Sequence, residues 1–105
     1  MSKQPKVTKA FEKVLNKEFL PRIEKVYQIR PMKTTDVVFY ISLLQIAIDY
    51  EEKVFNLEFQ KTDYAVNALC QMTRKTFLQS RERLKELGLI DFEVITSHVA
   101  VYKLI

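Results

Sequence analysis

The chain has 105 residues, of which 48% are apolar, with one glycine, three prolines and a single cysteine. This length accommodates one domain with its own core plus an extension, and the composition predicts a helix-rich globular protein. The lone cysteine excludes an internal disulfide, and no run approaches the roughly twenty apolar residues that a membrane span needs. Since the N-terminus leads into no signal-peptide core, we expect a cytoplasmic protein with no membrane partner.

Positive charge is concentrated in the first third of the chain. Residues 1–35 carry nine basic and three acidic side chains, a net charge of +6, whereas residues 36–105 carry eight basic and ten acidic, a net charge of −2. This asymmetry is typical of a basic arm or helix that contacts phosphate. The alternative interpretation is a solvated lysine face that maintains solubility.

Helical spacing of apolar residues predicts a first helix over Val7–Leu20. Pro21 either ends it or starts the next helix, because a proline ring is tolerated in the first turn of a helix but not in its interior. A second short turn or helix follows over residues 23–27, and residues 30–34 form a connector. We therefore assign residues 1–34 to a basic N-terminal helical extension.

A long apolar helix is predicted from Thr35, its N-cap, to about Tyr50, with Asp36 well placed in the first turn. Two apolar stripes run along it, almost opposite each other. One comprises Val37, Tyr40, Ile41, Leu44, Ala47 and Ile48. The other, here called the second stripe, comprises Phe39, Leu43, Ile46 and Tyr50.

A helix that is apolar all round must be buried all round. The second stripe therefore needs a cover, either the N-terminal helices of the same chain or a second subunit. Coverage by the same chain is the interpretation we favour, because Phe11, Val14, Phe19 and Ile23 need a partner as well. A homodimer built on this stripe is the alternative.

Beyond an acidic turn at residues 49–53, alternating residues predict a short strand over Val54–Phe59. Thr62 or Asp63 is expected to cap the following helix. Three residues are expected to anchor that helix in the core: Tyr64, Val66 and Leu69.

The segment from Thr73 to Gly88 contains a complete helix signal. The Thr73 hydroxyl can cap its start, and Gly88 can adopt the left-handed conformation that ends it. One side is spaced for burial: Phe77, Ser80, Leu84 and Leu87. Lys75 and Gln79 point the opposite way, flanked by Arg74, Thr76 and Arg83. Such a helix has one face for a core and one for a polyanion, although an ordinary amphipathic surface helix has a similar pattern.

Two strands, Leu89–Ile95 and Val99–Ile105, flank a polar tip at residues 96–98. The predicted order is helix, strand, helix, turn, helix, strand, strand. The fold class is therefore α+β, mainly α, and the order is that of a winged helix-turn-helix over residues 35–105.

The segments 55–59, 72–77 and 83–90 resemble the winged helix-turn-helix domains of replication proteins in phages, plasmids and other mobile elements of low-GC bacteria. Replisome organisers, the N-terminal domains of plasmid initiators and DnaD-like N-terminal domains belong to this group. The resemblance implies a bacterial, nucleoid-associated protein whose helix at 73–88 enters the DNA major groove while the hairpin, the wing, touches backbone or minor groove. It implies DNA contacts by Thr73, Arg74, Lys75, Thr76, Gln79 and Arg83, with Ser97, His98 and Lys103 in the wing.

Two residues depart from the family pattern. Glu82 lies on the side expected to face DNA, and Arg81 lies near the core stripe where an aliphatic residue is commoner. The wing is short and carries little charge. Together with twelve aromatic residues and a basic extension, these departures favour single-stranded DNA as an alternative ligand.

We expect a non-enzymatic DNA-binding protein, an accessory or initiation factor in replication of a mobile element. One alternative is an adaptor that docks on a replicative polymerase, helicase or loader through the second stripe. Another is a dimeric transcriptional repressor on a twofold site. We expect neither catalysis, metal nor cofactor, because His98 has no neighbouring nucleophile and the sequence has no phosphate-binding glycine loop or metal-ligand spacing.

Overall fold

The computed structural model describes residues 12–13, 15–29 and 32–105. The helices are α1 (Leu20–Gln28), α2 (Thr34–Ala47), α3 (Asp63–Cys70) and α4 (Arg74–Glu86). A π-helical segment, Leu15–Phe19, runs directly into helix α1. The strands are β1 (Ile48–Asp49), β2 (Val54–Phe55), β3 (Glu58–Thr62), β4 (Ile90–Thr96) and β5 (Val99–Leu104). The architecture is α+β, as predicted.

The N-terminal extension packs on the core. Residues 7–11 and 14 of the helix predicted over residues 7–20 lie outside the described residues, whereas residues 12–13 are helical and Leu15–Phe19 are π-helical. Pro21 occupies the first turn of α1, so it starts this helix. Val26 is buried in the core, and Phe19 and Ile23 pack against it. The Phe19 ring meets Phe55 edge-on at 6.3 Å between centroids. The N-terminal extension of the same chain therefore covers part of the core.

Thr35 is not the N-cap of helix α2, because the helix begins two residues earlier, with Lys33 as its N-cap, and it ends three residues early, at Ala47. The Lys33 backbone N–H donates to Asp36 Oδ2 at 3.1 Å, so Asp36 satisfies the start of the helix from its first turn. At the other end, Ile48 and Asp49 pair with Phe55 and Val54 as a small antiparallel ladder. Strand pairing there replaces the last predicted helical turn.

The predicted strand over residues 54–59 is two separate strands. Val54–Phe55 pairs with β1, whereas Glu58–Thr62 joins a different sheet. The turn between β1 and β2 is held by Asp49, whose Oδ1 accepts from the backbone N–H of Glu51 and of Glu52, both at 3.0 Å. An aspartate that binds the backbone two and three residues ahead favours a tight turn over continued helix.

The caps of α3 and α4 agree with the sequence prediction. Thr62 Oγ1 accepts from the Ala65 N–H at 3.0 Å, and Thr73 Oγ1 accepts from the Thr76 N–H at 3.3 Å. Gly88 ends the α4 segment with φ +78, a left-handed conformation that strains residues with a Cβ.

The turn between α3 and α4 depends on an amide that we did not predict. Asn67 Nδ2 donates to the Met72 carbonyl at 2.8 Å, and its Oδ1 accepts from the Met72 N–H at 2.9 Å.

The larger sheet has the order β3–β5–β4, and both pairs are antiparallel. Tyr102 on the central strand pairs with Phe59 on one side and Phe92 on the other. The hairpin strands agree with the prediction to within one residue, and a bulge lies between Val94 and Thr96, just before the tip. The tip is therefore the end of a hairpin in which one strand, β5, is the middle strand of the sheet and is paired on both sides.

The core lies between α2, α4 and this sheet. Fully buried side chains come from all three, including Phe39, Leu44, Phe77, Leu84 and Tyr102. The predicted core side of α4 is correct, since Phe77, Ser80 and Leu84 are buried. The predicted anchors of α3 are only partly correct. Val66 is buried, but Tyr64 is 86% exposed and Leu69 is 48% exposed, because both lie on the outward face of this short helix.

Candidate nucleic-acid interface

The outward face of α4 presents the residues expected to contact DNA. Lys75 and Gln79 are exposed, while Phe77 and Ser80 on the core side of the helix are buried. Thr73 is exposed at the N-cap, and Thr76 is half-buried. The Thr73 hydroxyl also donates to Thr76 Oγ1 at 3.1 Å, so both threonines have local structural roles at the helix start. Glu82 is exposed too, which leaves this face with mixed charge.

Arg74 has partners within the chain. Its Nη1 forms an ion pair with Asp63 Oδ2, and its Nη2 donates to the Ser97 carbonyl at 3.3 Å. The guanidinium also lies over the Phe77 ring, 5.8 Å from its centroid. The side chain is still 51% exposed. Arg74 therefore connects the start of α4 to α3 and to the hairpin tip, and keeps a solvent-facing side.

Arg81 is buried and shares the same carboxylate. Its Nη1 donates to Asp63 Oδ1 at 3.1 Å and to the Tyr102 hydroxyl at 3.2 Å. The guanidinium lies 4.7 Å from the centroid of Phe92. Asp63 thus joins two arginines of α4 to the start of α3, and the three charges sum to +1. The core spacing of Arg81 was visible in the sequence, and a buried arginine requires an acidic partner.

Arg83 also has a partner within the chain. Its Nε donates to Asp36 Oδ2 at 2.7 Å, and the Asp36 side chain is fully buried. Because the Arg83 side chain is only 30% exposed, its main contact ties α4 to the first turn of α2.

The three predicted wing residues do not lie together. Ser97 and His98 are exposed at the hairpin tip. Lys103 is exposed as well, but it pairs across the strands with Asp91 and Glu58, at the opposite end of the hairpin. The predicted strand already implied this separation, because Lys103 lies five residues beyond His98 and a strand rises about 3.3 Å per residue.

The second stripe is not an exposed surface. Phe39 and Leu43 are fully buried, and Ile46 is partly buried against the core. Tyr50 is 66% exposed, in the turn beyond the end of α2. The four residues therefore do not present the continuous apolar face that docking on another protein requires. Helix α4 provides much of the cover, since the Phe39 ring packs against Phe77 at a tilt, with 4.8 Å between ring centroids.

A groove opens between α3, the start of α4 and the hairpin tip. Its volume is about 360 Å³, and its lining includes Tyr64, Ala68, Arg74, Phe77 and His98. The Asp63 backbone N–H donates to the His98 carbonyl at 2.8 Å, which holds the tip against the start of α3. The groove is therefore bounded by elements that are tied to one another, and it adjoins the first turn of α4.

Because the Tyr102 hydroxyl is buried beside Arg81, we expect the protein to lose stability at high pH. Burial raises the pKa of Tyr102 above its ordinary 10.0, and the hydrogen bond from Arg81 partly opposes this rise. The folded protein then holds the phenolic proton to higher pH than the unfolded chain. The contribution of Tyr102 to stability is complete below about pH 10 and is lost as the pH rises through its folded-state pKa.

We expect Tyr102→Phe to flatten the fall in the free energy of unfolding, measured with urea between about pH 9 and pH 11. Tyr64→Phe is the matched control, because it removes the hydroxyl of a ring that is 86% exposed. The same slope in wild type and Tyr102→Phe would contradict this assignment.

No protein-family model, curated protein or solved structure matches this chain. Within the described part of the chain, no helix is long and apolar enough to cross a membrane.

Proposed function

We propose that this chain is a non-enzymatic DNA-binding protein built on a winged helix-turn-helix. Two features of the fold support the proposal. Helices α2, α3 and α4 precede the hairpin, and the sheet order is β3–β5–β4. In a winged helix-turn-helix the third of these helices enters the major groove, and the hairpin is the wing. We assign these two roles to helix α4 and the β4–β5 hairpin.

The observation that carries the proposal is the solvent-facing side of α4. Lys75 and Gln79 are exposed there, and no ion pair or hydrogen bond to another side chain occupies them among the described residues. Lysine can neutralise a phosphate, and glutamine can bind an adenine edge. Arg74 and Arg83 contribute mainly by placing this helix, because their guanidinium groups bind Asp63 and Asp36.

We further propose a role as an accessory or initiation factor in replication of a phage, plasmid or other mobile element. This role rests on the resemblance of segments 55–59, 72–77 and 83–90 to replication proteins. Footprinting distinguishes it from a repressor: a repressor protects a defined twofold site, whereas an accessory replication protein coats DNA without one.

We expect Lys75→Ala combined with Gln79→Ala to weaken binding to blunt duplex DNA by about tenfold or more, since a good base contact alone contributes roughly 1–3 kcal/mol. The slope of log affinity against log salt should fall by about one unit for the lost phosphate contact. Fluorescence anisotropy at several salt concentrations measures both. Arg74 is left in place, because its removal would also disturb Asp63.

The control for charge is Lys53→Asn, in the turn between β1 and β2. It removes the same charge outside α4 and the hairpin, and asparagine tolerates the φ of 57 found at this residue. This control should bind duplex DNA like wild type. Equal binding by the α4 variant and wild type would overturn the role assigned to α4.

A further inference from the structure

The most exposed large apolar side chain of the described residues lines a groove. Tyr64 is 86% exposed, although it lies in the first turn of α3 next to the buried Asp63. A tyrosine left out of the core in a small domain is an open aromatic surface. Phe77 and Ala68 supply further apolar lining, and His98 stands on the hairpin side.

The groove has a defined shape because its walls are bonded together. The Asp63 N–H donates to the His98 carbonyl at 2.8 Å. Arg74 binds the Asp63 carboxylate and donates to the Ser97 carbonyl at 3.3 Å. Its volume of about 360 Å³ lies at the lower end of the roughly 300–1,000 Å³ typical of ligand pockets. A planar ring the size of a nucleobase fits such a space.

The charges around the groove favour an anion. Both oxygens of the Asp63 carboxylate are engaged, one by Arg81 and the other by Arg74, so the cluster has a net charge of +1. The Arg74 side chain is the exposed member, with half of its surface open to solvent. A phosphate beside Arg74 therefore meets positive charge, and the carboxylate nearby is already neutralised.

The polar groups of the groove do not favour one base over another. The Asn67 amide, which also lines it, is occupied by the Met72 backbone through both its nitrogen and its oxygen. The Asp63 carboxylate is likewise occupied. The Tyr64 ring and the His98 side chain remain open. Stacking on an aromatic ring tolerates every base because each has a π-face.

We propose that this groove binds an unpaired nucleobase of a DNA strand, stacked on Tyr64, with the adjoining phosphate at Arg74. The inference rests on the proposed function, because the groove adjoins the first turn of α4. It specifies the DNA ligand of that function, a duplex that continues into a single strand. Helix α4 binds the duplex, and the groove binds the first unpaired nucleotide.

The test compares blunt duplex with the same duplex carrying a three-nucleotide single-stranded overhang, placed on the 3′ end or on the 5′ end. We expect wild type to bind one of the overhang duplexes about tenfold tighter than the blunt one, in line with the stacking of one base. Tyr64→Ala should lose this preference, and Tyr64→Phe should keep it because the ring remains. A 2-aminopurine in the overhang reports the stacking by its fluorescence.

Tyr50→Ala is the matched control, since it removes an exposed tyrosine outside the groove and should keep the preference. Thermal melting of each variant verifies folding. Equal affinity of wild type for blunt and overhang duplexes, or an undiminished preference in Tyr64→Ala, overturns the groove site. If blunt duplex still binds and depends on Lys75 and Gln79, only the groove site fails; if no DNA binds, the proposed function fails with it.

Discussion

Replacing Asp63 by alanine should lower the free energy of unfolding by about 3–5 kcal/mol, because it leaves the buried Arg81 guanidinium without its counter-charge. Asp63 accepts from Arg81 Nη1 at 3.1 Å, and the two side chains are 9% and 6% exposed. The loss is a large part of the stability of a domain of this size, typically about 5–15 kcal/mol. Urea unfolding monitored by circular dichroism measures it.

Asp91→Ala is the control for this change. Its carboxylate pairs with Lys85 Nζ at 3.5 Å, but both side chains are about half exposed, so the loss should stay below about 1 kcal/mol. Adding Arg81→Met to Asp63→Ala should restore much of the lost stability, since an apolar side chain of similar length needs no counter-charge. A loss for Asp63→Ala as small as that for Asp91→Ala would contradict the buried pair.

Phe39→Ala should lower the free energy of unfolding by about 3–5 kcal/mol, the usual effect of truncating a buried aromatic ring. The Phe39 side chain is fully buried, and its ring lies 4.8 Å from that of Phe77. The substitution removes this contact and leaves a cavity between α2 and α4. Urea unfolding again measures the change.

Val38→Ala on the same helix is the matched control. Val38 is 37% exposed, so its truncation should change stability by no more than about 0.5 kcal/mol. Comparing the two variants shows whether Phe39 is a core residue or part of a docking surface. A stable Phe39→Ala variant would restore the second stripe as a surface for a partner.

Elements with local signals were predictable from the sequence. Thr62 and Thr73 cap helices by bonds to an N–H only three residues ahead, so a short stretch of sequence contains the whole interaction. The left-handed turn at Gly88 and the alternation of the hairpin strands are local in the same way. These signals located α3, α4, β4 and β5 to within about a turn.

Predictions from local sequence signals were wrong where the deciding interaction came from a distant part of the chain. The last turn of the predicted long helix is lost because β2 pairs with Ile48 and Asp49. Tyr64 has the spacing of a core residue but lies outside it, because α3 is short and Val66 already faces the core. Hydrophobicity alone does not decide which of several apolar residues on a two-turn helix is buried.

The sequence by itself therefore determined where α3, α4 and the hairpin begin and end, to within about a turn, and which side of α4 is apolar. Only the tertiary structure decided which cations face solvent. Arg81 meets Asp63 across 18 residues of chain, and Arg83 meets Asp36 across 47. Such pairs form only when distant elements pack. The sequence therefore could not separate the α4 arginines, which bind carboxylates of other elements, from Lys75, which faces solvent.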